Sequence, residues 1–190
     1  MQLARAPAGI SPVEAAALPL AALTAWQCLM DAAGLRPGAA VLVHGASGGV
    51  GHLAVQLAAG RGARVASTVG RQDRDPLEMR DADVALDLVG GSDTLQLLRT
   101  VHEGGVLLAV ADGAGDDVKA EAARRRIRVL EPLVEPDGRA LDEIAKLVEA
   151  GTLKVAVGGT FPLEQAAEAH RRLEAGGVKG KLVLEVADHD

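Results

Sequence analysis

Apolar residues in this chain occur either in short continuous runs or at intervals of three and four. The continuous runs are rich in Val, Leu and Ala, which is typical of buried strands; they span residues 40–44, 63–68, 84–89, 106–111, 127–134 and 181–186. The intervals of three and four place apolar side chains on one face of a helix. Because runs and helical spacing alternate, the sequence predicts an α/β fold.

Polar and special residues predict where the helices begin and end. Ser11, Pro12 and Glu14 form a capping box with proline at the first helical position, and Pro19 ends this short helix. On the last predicted helix, His170 shares a face with apolar residues, so we expect it to pack rather than to act chemically. The predicted helices after the first span residues 19–33, 49–59, 92–101, 116–125, 139–150 and 162–175.

A glycine-rich turn lies between the run at 40–44 and the helix that follows it. Aligned on the dinucleotide fingerprint G-x-G-x-x-G, the three key positions hold Ala46, Gly48 and Gly51. Helix N-termini carry unpaired N–H groups and partial positive charge, so a close backbone approach there suits a diphosphate. The alternative is a strand-to-helix turn that binds no ligand. The candidate cofactor-binding residues of the turn are Ala46, Ser47, Gly48, Gly49, Val50 and Gly51.

Three stretches carry a resemblance to a known family: Ala15–Trp26, the turn His44–Gly51 and the ending Gly180–Leu184. Together they resemble the medium-chain dehydrogenase/reductase superfamily, and most closely its zinc-independent quinone oxidoreductase and enoyl reductase branch. The resemblance implies a Rossmann-like, doubly wound parallel sheet without the family's N-terminal catalytic domain. We therefore expect one nucleotide-binding domain over 1–190, with N-terminal helices in 1–35, the core sheet in 36–134, and C-terminal helices and the last strand in 135–190.

The resemblance also implies further contacts with a cofactor. It places Thr24 near the nicotinamide, although a helical threonine can equally bond its own backbone. It places Val89 and Val110, at the ends of two strands, beside the cofactor. Asp87 lies inside an apolar strand, and we expect it to accept hydrogen bonds from nearby N–H groups rather than to act in catalysis. No catalytic residue is predicted.

The residues after the second run bear on the choice of nucleotide. An NAD-specific site has Asp or Glu there to bind the ribose 2′-hydroxyl, whereas this chain has Thr68 followed by Arg71 and Arg74. Arginines suit a 2′-phosphate, so the sequence favours NADPH over NADH. The alternative is that both arginines are solvated loop residues.

The same segment is too short for a complete family sheet. About 14 residues separate Thr68 from the next strand, and a helix rising 1.5 Å per residue fills most of that length. The usual third strand with its flanking helices does not fit. We therefore expect a shortened sheet.

Composition narrows the possible partners. The 190 residues carry a net charge of −6 and contain one Trp, one Phe and no Tyr, which argues against nucleic acid or an anionic membrane. Cys28 is the single cysteine, so neither an internal disulfide nor a thiolate zinc cluster is possible. The five histidines are scattered, and no metal site is predicted. These features suit the cytoplasm.

Two functional hypotheses follow. The first is a zinc-independent, NADPH-dependent oxidoreductase that transfers hydride to a quinone or an activated C=C bond. The second is a truncated family member that has lost redox activity and acts as a non-redox biosynthetic enzyme, such as a cyclase or lyase, or as a binding module. The resemblance further implies a homodimer through the edge strand 127–134. A separate polypeptide could supply the catalytic domain, or the chain could be a fragment.

Overall fold

The computed structural model of the protein describes residues 2–68 and 80–186. The helices are α1 (Pro12–Ala17), α2 (Pro19–Trp26), α3 (Gly51–Gly60), α4 (Thr94–Leu98), α5 (Asp116–Arg124), α6 (Gly138–Glu149) and α7 (Ala166–Glu174). The strands are β1 (Ala40–His44), β2 (Arg64–Thr68), β3 (Ala82–Asp87), β4 (Val101–Ala109), β5 (Arg128–Leu130), β6 (Val157–Pro162) and β7 (Lys181–Glu185). The chain therefore alternates strands and helices over most of its length.

Five strands form one parallel sheet in the order β2-β1-β3-β4-β5. Its two faces bury separate apolar clusters, because successive side chains of a strand point to opposite sides. Val41 and Val43 of β1 belong to the cluster shared with α2, α3 and α6, whereas Leu42 belongs to the cluster shared with α4 and α5. Helices thus cover both faces, and the predicted doubly wound, Rossmann-like fold is confirmed.

Strand β2 forms one edge of this sheet. Within residues 2–68 and 80–186, no strand pairs with the outer side of β2. In a six-stranded Rossmann sheet a third strand occupies that place. The described strands therefore agree with the predicted shortened sheet.

The N-terminal helices follow the predicted boundaries closely. Ser11 accepts a hydrogen bond from the Glu14 N–H, and the Glu14 carboxylate accepts one from the Ser11 N–H, so the capping box is confirmed. Helix α2 starts at Pro19 and continues as a π-helix over Gln27–Ala32. None of the helices within the described residues combines the length and apolarity that a bilayer crossing needs.

Strands β6 and β7 form a separate two-stranded parallel sheet near the C-terminus. Helix α7 connects them and buries Ala169. The expectation that His170 packs against the protein is wrong, because its side chain is exposed together with Leu173, which is 56% exposed. The short sheet offers α7 little surface to cover, so Ala169 is the only buried residue of this helix.

Two strands differ by more than two residues in length from the sequence prediction. Strand β5 covers three residues instead of eight, since Pro132 has no N–H with which to continue the ladder. Just after the strand, the Glu131 carboxylate accepts from the Ala114 N–H and from the Lys119 Nζ. Strand β4 begins at Val101, where a helix was expected to end. Val101 pairs with Ala82 of β3, and the next residue of β4 to pair is Val106, with Val84. Residues 102–105 therefore bulge out of the ladder.

Candidate cofactor-binding site

The carboxyl ends of the central strands meet beside the glycine turn. His44 at the end of β1 is in register with Thr68 of β2 and with Asp87 of β3. The chain leaves β1 toward β2 on one side, while β3, β4 and β5 lie on the other side, so strand order reverses at β1. In open α/β sheets, ligands bind in the crevice at such a switch point.

The turn depends on glycines at two positions. Gly45 has a φ of +88°, a left-handed conformation that side chains disfavour, and a Cβ there would lie 2.9 Å from the Val89 Cγ2. A Cβ on Gly51 would overlap the Gly45 carbonyl oxygen and lie 2.7 Å from the Ala46 Cα. Because these neighbours are backbone atoms, the start of α3 can pack this closely on the turn only with glycine at 51.

Several N–H groups of the turn have no partner among the described residues. The Gly48 N–H bonds the Gly45 carbonyl at 3.1 Å, and the Ala46 N–H bonds the Thr68 carbonyl at 3.0 Å. No hydrogen bond to a described residue is made by the N–H groups of Ser47, Val50 and Gly51. They cluster at the N-terminus of α3, where the helix dipole adds partial positive charge. Such a cradle is suited to an anionic, oxygen-rich ligand.

Buried polar side chains at the ends of β1, β2 and β3 form hydrogen bonds with the turn and with each other's neighbours. The Thr68 hydroxyl lies 2.7 Å from the His44 Nδ1 and accepts from the Gly45 N–H at 3.3 Å. The Asp87 carboxylate accepts from the N–H groups of Val89 and Gly90 at 3.0 and 2.9 Å, as predicted for this residue. The same carboxylate also accepts from the Thr94 hydroxyl at 2.6 Å. His44 was not predicted as part of the site, although a histidine closing an apolar strand was a visible signal; its buried Nε2 has no partner among the described residues.

The other predicted contact residues are only partly placed beside the turn. Val89 is beside Gly45, and the Val110 N–H donates to the Asp87 carbonyl at 3.0 Å, so both stand at this edge of the sheet. Thr24 is buried in α2, and its hydroxyl donates to the Leu20 carbonyl at 2.7 Å, as the alternative interpretation predicts. Arg71 and Arg74 lie outside the described residues. Contact of any of these residues with a cofactor remains a prediction.

The C-terminal sheet also contacts the turn. The Gly180 N–H donates to the Ser47 carbonyl at 2.9 Å, and Gly48 and Gly180 form a parallel bridge. His52 of α3 lies between Gly48 and Ala156, with a hydrogen bond to each. Sequence reasoning missed these contacts, since no local pattern connects residues more than one hundred positions apart.

Comparison with known proteins places the chain in a family. A match to the family described as zinc-binding dehydrogenase spans residues 55–184. The chain belongs to this family. The resemblance to the medium-chain dehydrogenase/reductase superfamily is thereby confirmed, and the matched region corresponds to its C-terminal cofactor-binding domain.

Individual relatives are oxidoreductases. A mitochondrial protein of Arthroderma benhamiae, named a probable zinc-binding oxidoreductase, is 32% identical over 97% of this chain and 66% of its own length. The crystal structure of an NAD-dependent alcohol dehydrogenase is 34% identical, with a TM-score of 0.88 over 97% of this chain and 62% of that chain. The Escherichia coli quinone oxidoreductase in complex with NADPH is 26% identical, with a TM-score of 0.83 over 95% and 67%.

These matches leave about a third of each relative unmatched. The fungal alignment runs over 218 positions, more than the 190 residues of this chain, so the relative also has additional residues inside the matched region. This agrees with a shortened cofactor-binding domain.

The family description mentions zinc, but the described part of this chain offers no group of zinc ligands. Residues 2–68 and 80–186 contain no cluster of three or more His, Cys, Asp or Glu side chains placed to hold a metal ion. Burial raises the pKa of the Cys28 thiol to about 12, which disfavours the thiolate that zinc requires. Zinc independence remains a prediction.

Proposed function

We propose that this family member is an NADPH-dependent oxidoreductase that delivers hydride to a quinone or an activated C=C bond. The supporting observation is the group of N–H groups on Ser47, Val50 and Gly51 at the start of α3, which have no partner among the described residues. A diphosphate would provide acceptors for these donors.

The residues at the carboxyl edge fit the remainder of a dinucleotide. Val89 and Val110 would bound the nicotinamide half of the crevice, and Thr24 would approach it from α2. A bound nicotinamide nucleotide supplies the hydride, whereas the protein aligns it with the acceptor and excludes water. Because a polarised enone or quinone needs no strong acid or base from the protein, the lack of a predicted catalytic residue is compatible with this reaction.

The preference for NADPH rests on Arg71 and Arg74. Replacing both with Ala is expected to raise the Kd for NADPH about 10- to 150-fold, because a charge-assisted contact to the 2′-phosphate contributes about 1.5–3 kcal/mol. The Kd for NADH, which lacks that phosphate, should stay unchanged and serves as the control. Equal losses for both nucleotides would refute the assignment of these arginines.

Activity is tested by NADPH oxidation with a panel of quinones and enones, after calorimetric titration with NADPH and NADH. Binding with turnover supports the proposal. Binding without turnover on any acceptor, or no binding at all, contradicts it and favours the non-redox enzyme or binding module. Copurification of a second polypeptide that restores turnover would instead support a catalytic domain supplied in trans.

We also propose a homodimer through residues 127–134. Strand β5 is an edge of the sheet, and Leu133 beyond it is 87% exposed, which suits pairing with the same strand of a second copy. Sedimentation should give a dimer for the wild type and a monomer for Leu133→Asp. A monomeric wild type would refute this proposal.

A further inference from the structure

We infer that His52 is a positioning residue of the cofactor-binding turn: it fixes the Gly48–Gly49 peptide, and with it the adjoining backbone whose Val50 and Gly51 N–H groups would bind the ligand. The inference rests on the proposed function, because it assigns a role toward the cofactor diphosphate. It adds a residue that lies outside the glycine fingerprint.

His52 is hydrogen-bonded through both ring nitrogens. The Nε2 accepts from the Ala156 N–H at 3.0 Å, and the Nδ1 lies 2.9 Å from the Gly48 carbonyl oxygen. An N–H group can only donate, so Nε2 must be the unprotonated nitrogen. The ring proton is therefore on Nδ1 and is donated to Gly48. This arrangement requires the neutral imidazole in one tautomer.

The Gly48 carbonyl accepts two hydrogen bonds from His52. One comes from the ring Nδ1, and the other comes from the His52 backbone N–H at 3.2 Å. The same peptide group carries the Gly49 N–H, which faces Gly180 in the parallel bridge between Gly48 and Gly180. Donors on the carbonyl side hold the plane of this peptide, and they therefore also hold the backbone that leads into the unpartnered N–H groups of Val50 and Gly51. Glycines on both sides of the peptide would otherwise allow it to rotate.

The other end of the His52 contact is anchored in the C-terminal part of the chain. The Ala156 carbonyl accepts from the Lys181 N–H of β7 at 3.0 Å, and the neighbouring Gly180 N–H donates to Ser47. Ala156 is therefore held by a strand, and His52 transmits that fixed position to the turn.

Helix α3 offers a matched control one turn further on. The Gln56 amide donates to the Lys154 carbonyl at 3.0 Å, and its oxygen accepts from the Lys154 N–H at 2.8 Å. Gln56 thus connects the same helix to the same segment with two hydrogen bonds. It also donates to the His52 main-chain carbonyl at 2.8 Å, but it makes no hydrogen bond to residues 45–51. A merely structural role of His52 would make the two residues equivalent.

The experiment compares His52→Leu and Gln56→Leu by thermal denaturation, NADPH titration and hydrogen exchange of the turn. Both variants should lose stability. Only His52→Leu should raise the Kd for NADPH, by about five- to tenfold for the loss of one hydrogen bond that orders a ligand donor. Only this variant should speed exchange of the Gly48 and His52 amides, which are hydrogen-bonded within the turn.

Two conservative variants separate the contacts of the ring. His52→Asn retains a donor at the position of Nδ1 and should bind NADPH nearly as well as the wild type. His52→Gln retains an acceptor near the position of Nε2 but lacks the donor to Gly48, so its Kd should remain raised.

The outcomes distinguish the two proposals. If the wild type binds NADPH but His52→Leu and Gln56→Leu change the Kd and the exchange equally, the role of His52 is overturned while the proposed function stands. If the wild type binds neither NADPH nor NADH, the proposed function fails, and the assignment of His52 to a cofactor fails with it.

Discussion

Gly51→Ala is expected to damage both the stability of the protein and its nucleotide site. The added methyl group would overlap the Gly45 carbonyl oxygen and would lie 2.7 Å from the Ala46 Cα, where ordinary contact begins near 3.4 Å. These neighbours are main-chain atoms of the strand-to-helix turn, so no side-chain rotation can relieve the overlap. The start of α3 must therefore move away by roughly 1 Å.

Two opposing contributions set the size of the effect. Overpacking against rigid neighbours costs about 1–3 kcal/mol, and the backbone contacts favour the upper end of that range. Alanine regains up to about 1 kcal/mol through its higher helix propensity. The net loss is about 2 kcal/mol, which corresponds to a fall in Tm of about 4–8 °C for a chain of this size. The displaced N–H groups should raise the Kd for NADPH about tenfold or more.

Gly60→Ala, at the other end of the same helix, is the matched control. A Cβ there meets no atom within 4 Å. The substitution should therefore raise the Tm slightly, by the helix propensity of about 0.5–1 kcal/mol, and leave the Kd unchanged. Thermal denaturation and calorimetric titration of the two variants test the sign of each effect.

Opposite shifts in Tm would confirm that close backbone packing requires glycine at 51. If Gly51→Ala melted with the wild type and bound NADPH equally well, the packing argument would be wrong. A Gly51→Ala variant with an unchanged Tm and a raised Kd would instead show that the added methyl group affects nucleotide binding alone.

Further predictions concern buried and titrating groups. Thr68→Val removes the hydroxyl beside the His44 Nδ1 and should cost about 1–3 kcal/mol in urea denaturation, because a buried polar group loses its partner; an unchanged midpoint would contradict this. Cys28, whose pKa burial raises to about 12, should resist iodoacetamide at neutral pH until denaturant is added, as mass spectrometry would show. The hydrogen bond to Asp83 raises the pKa of His102 above its usual 6.5, so the stability that His102 contributes is complete below 6.5 and disappears as the pH rises through the raised value. Both side chains are at least about a third exposed, so the pair contributes little. His102→Gln should lower the free energy of unfolding by less than about 1 kcal/mol at mildly acidic pH and leave it unchanged at alkaline pH. An effect that grows with pH would be inconsistent with the pairing.

The sequence by itself determined the local elements of the site. The run at 40–44, the glycines and the apolar spacing after them specify a strand, a tight turn and a helix, because each depends on residues that are neighbours in the chain. The capping box at Ser11 and the acceptor role of Asp87 were predictable for the same reason. The α/β class also followed, since continuous apolar runs alternate with helical spacing along the chain.

Only the tertiary structure decided which distant groups meet at the turn. His52 contacts Ala156, and Gly180 contacts Ser47, across separations that leave no periodic pattern in the sequence. The exposure of His170 was likewise decided by how much surface the small β6–β7 sheet presents, which the amphipathic pattern of α7 does not specify. Local propensities depend on adjacent residues, whereas hydrogen-bond partners and burial depend on the packing of whole elements.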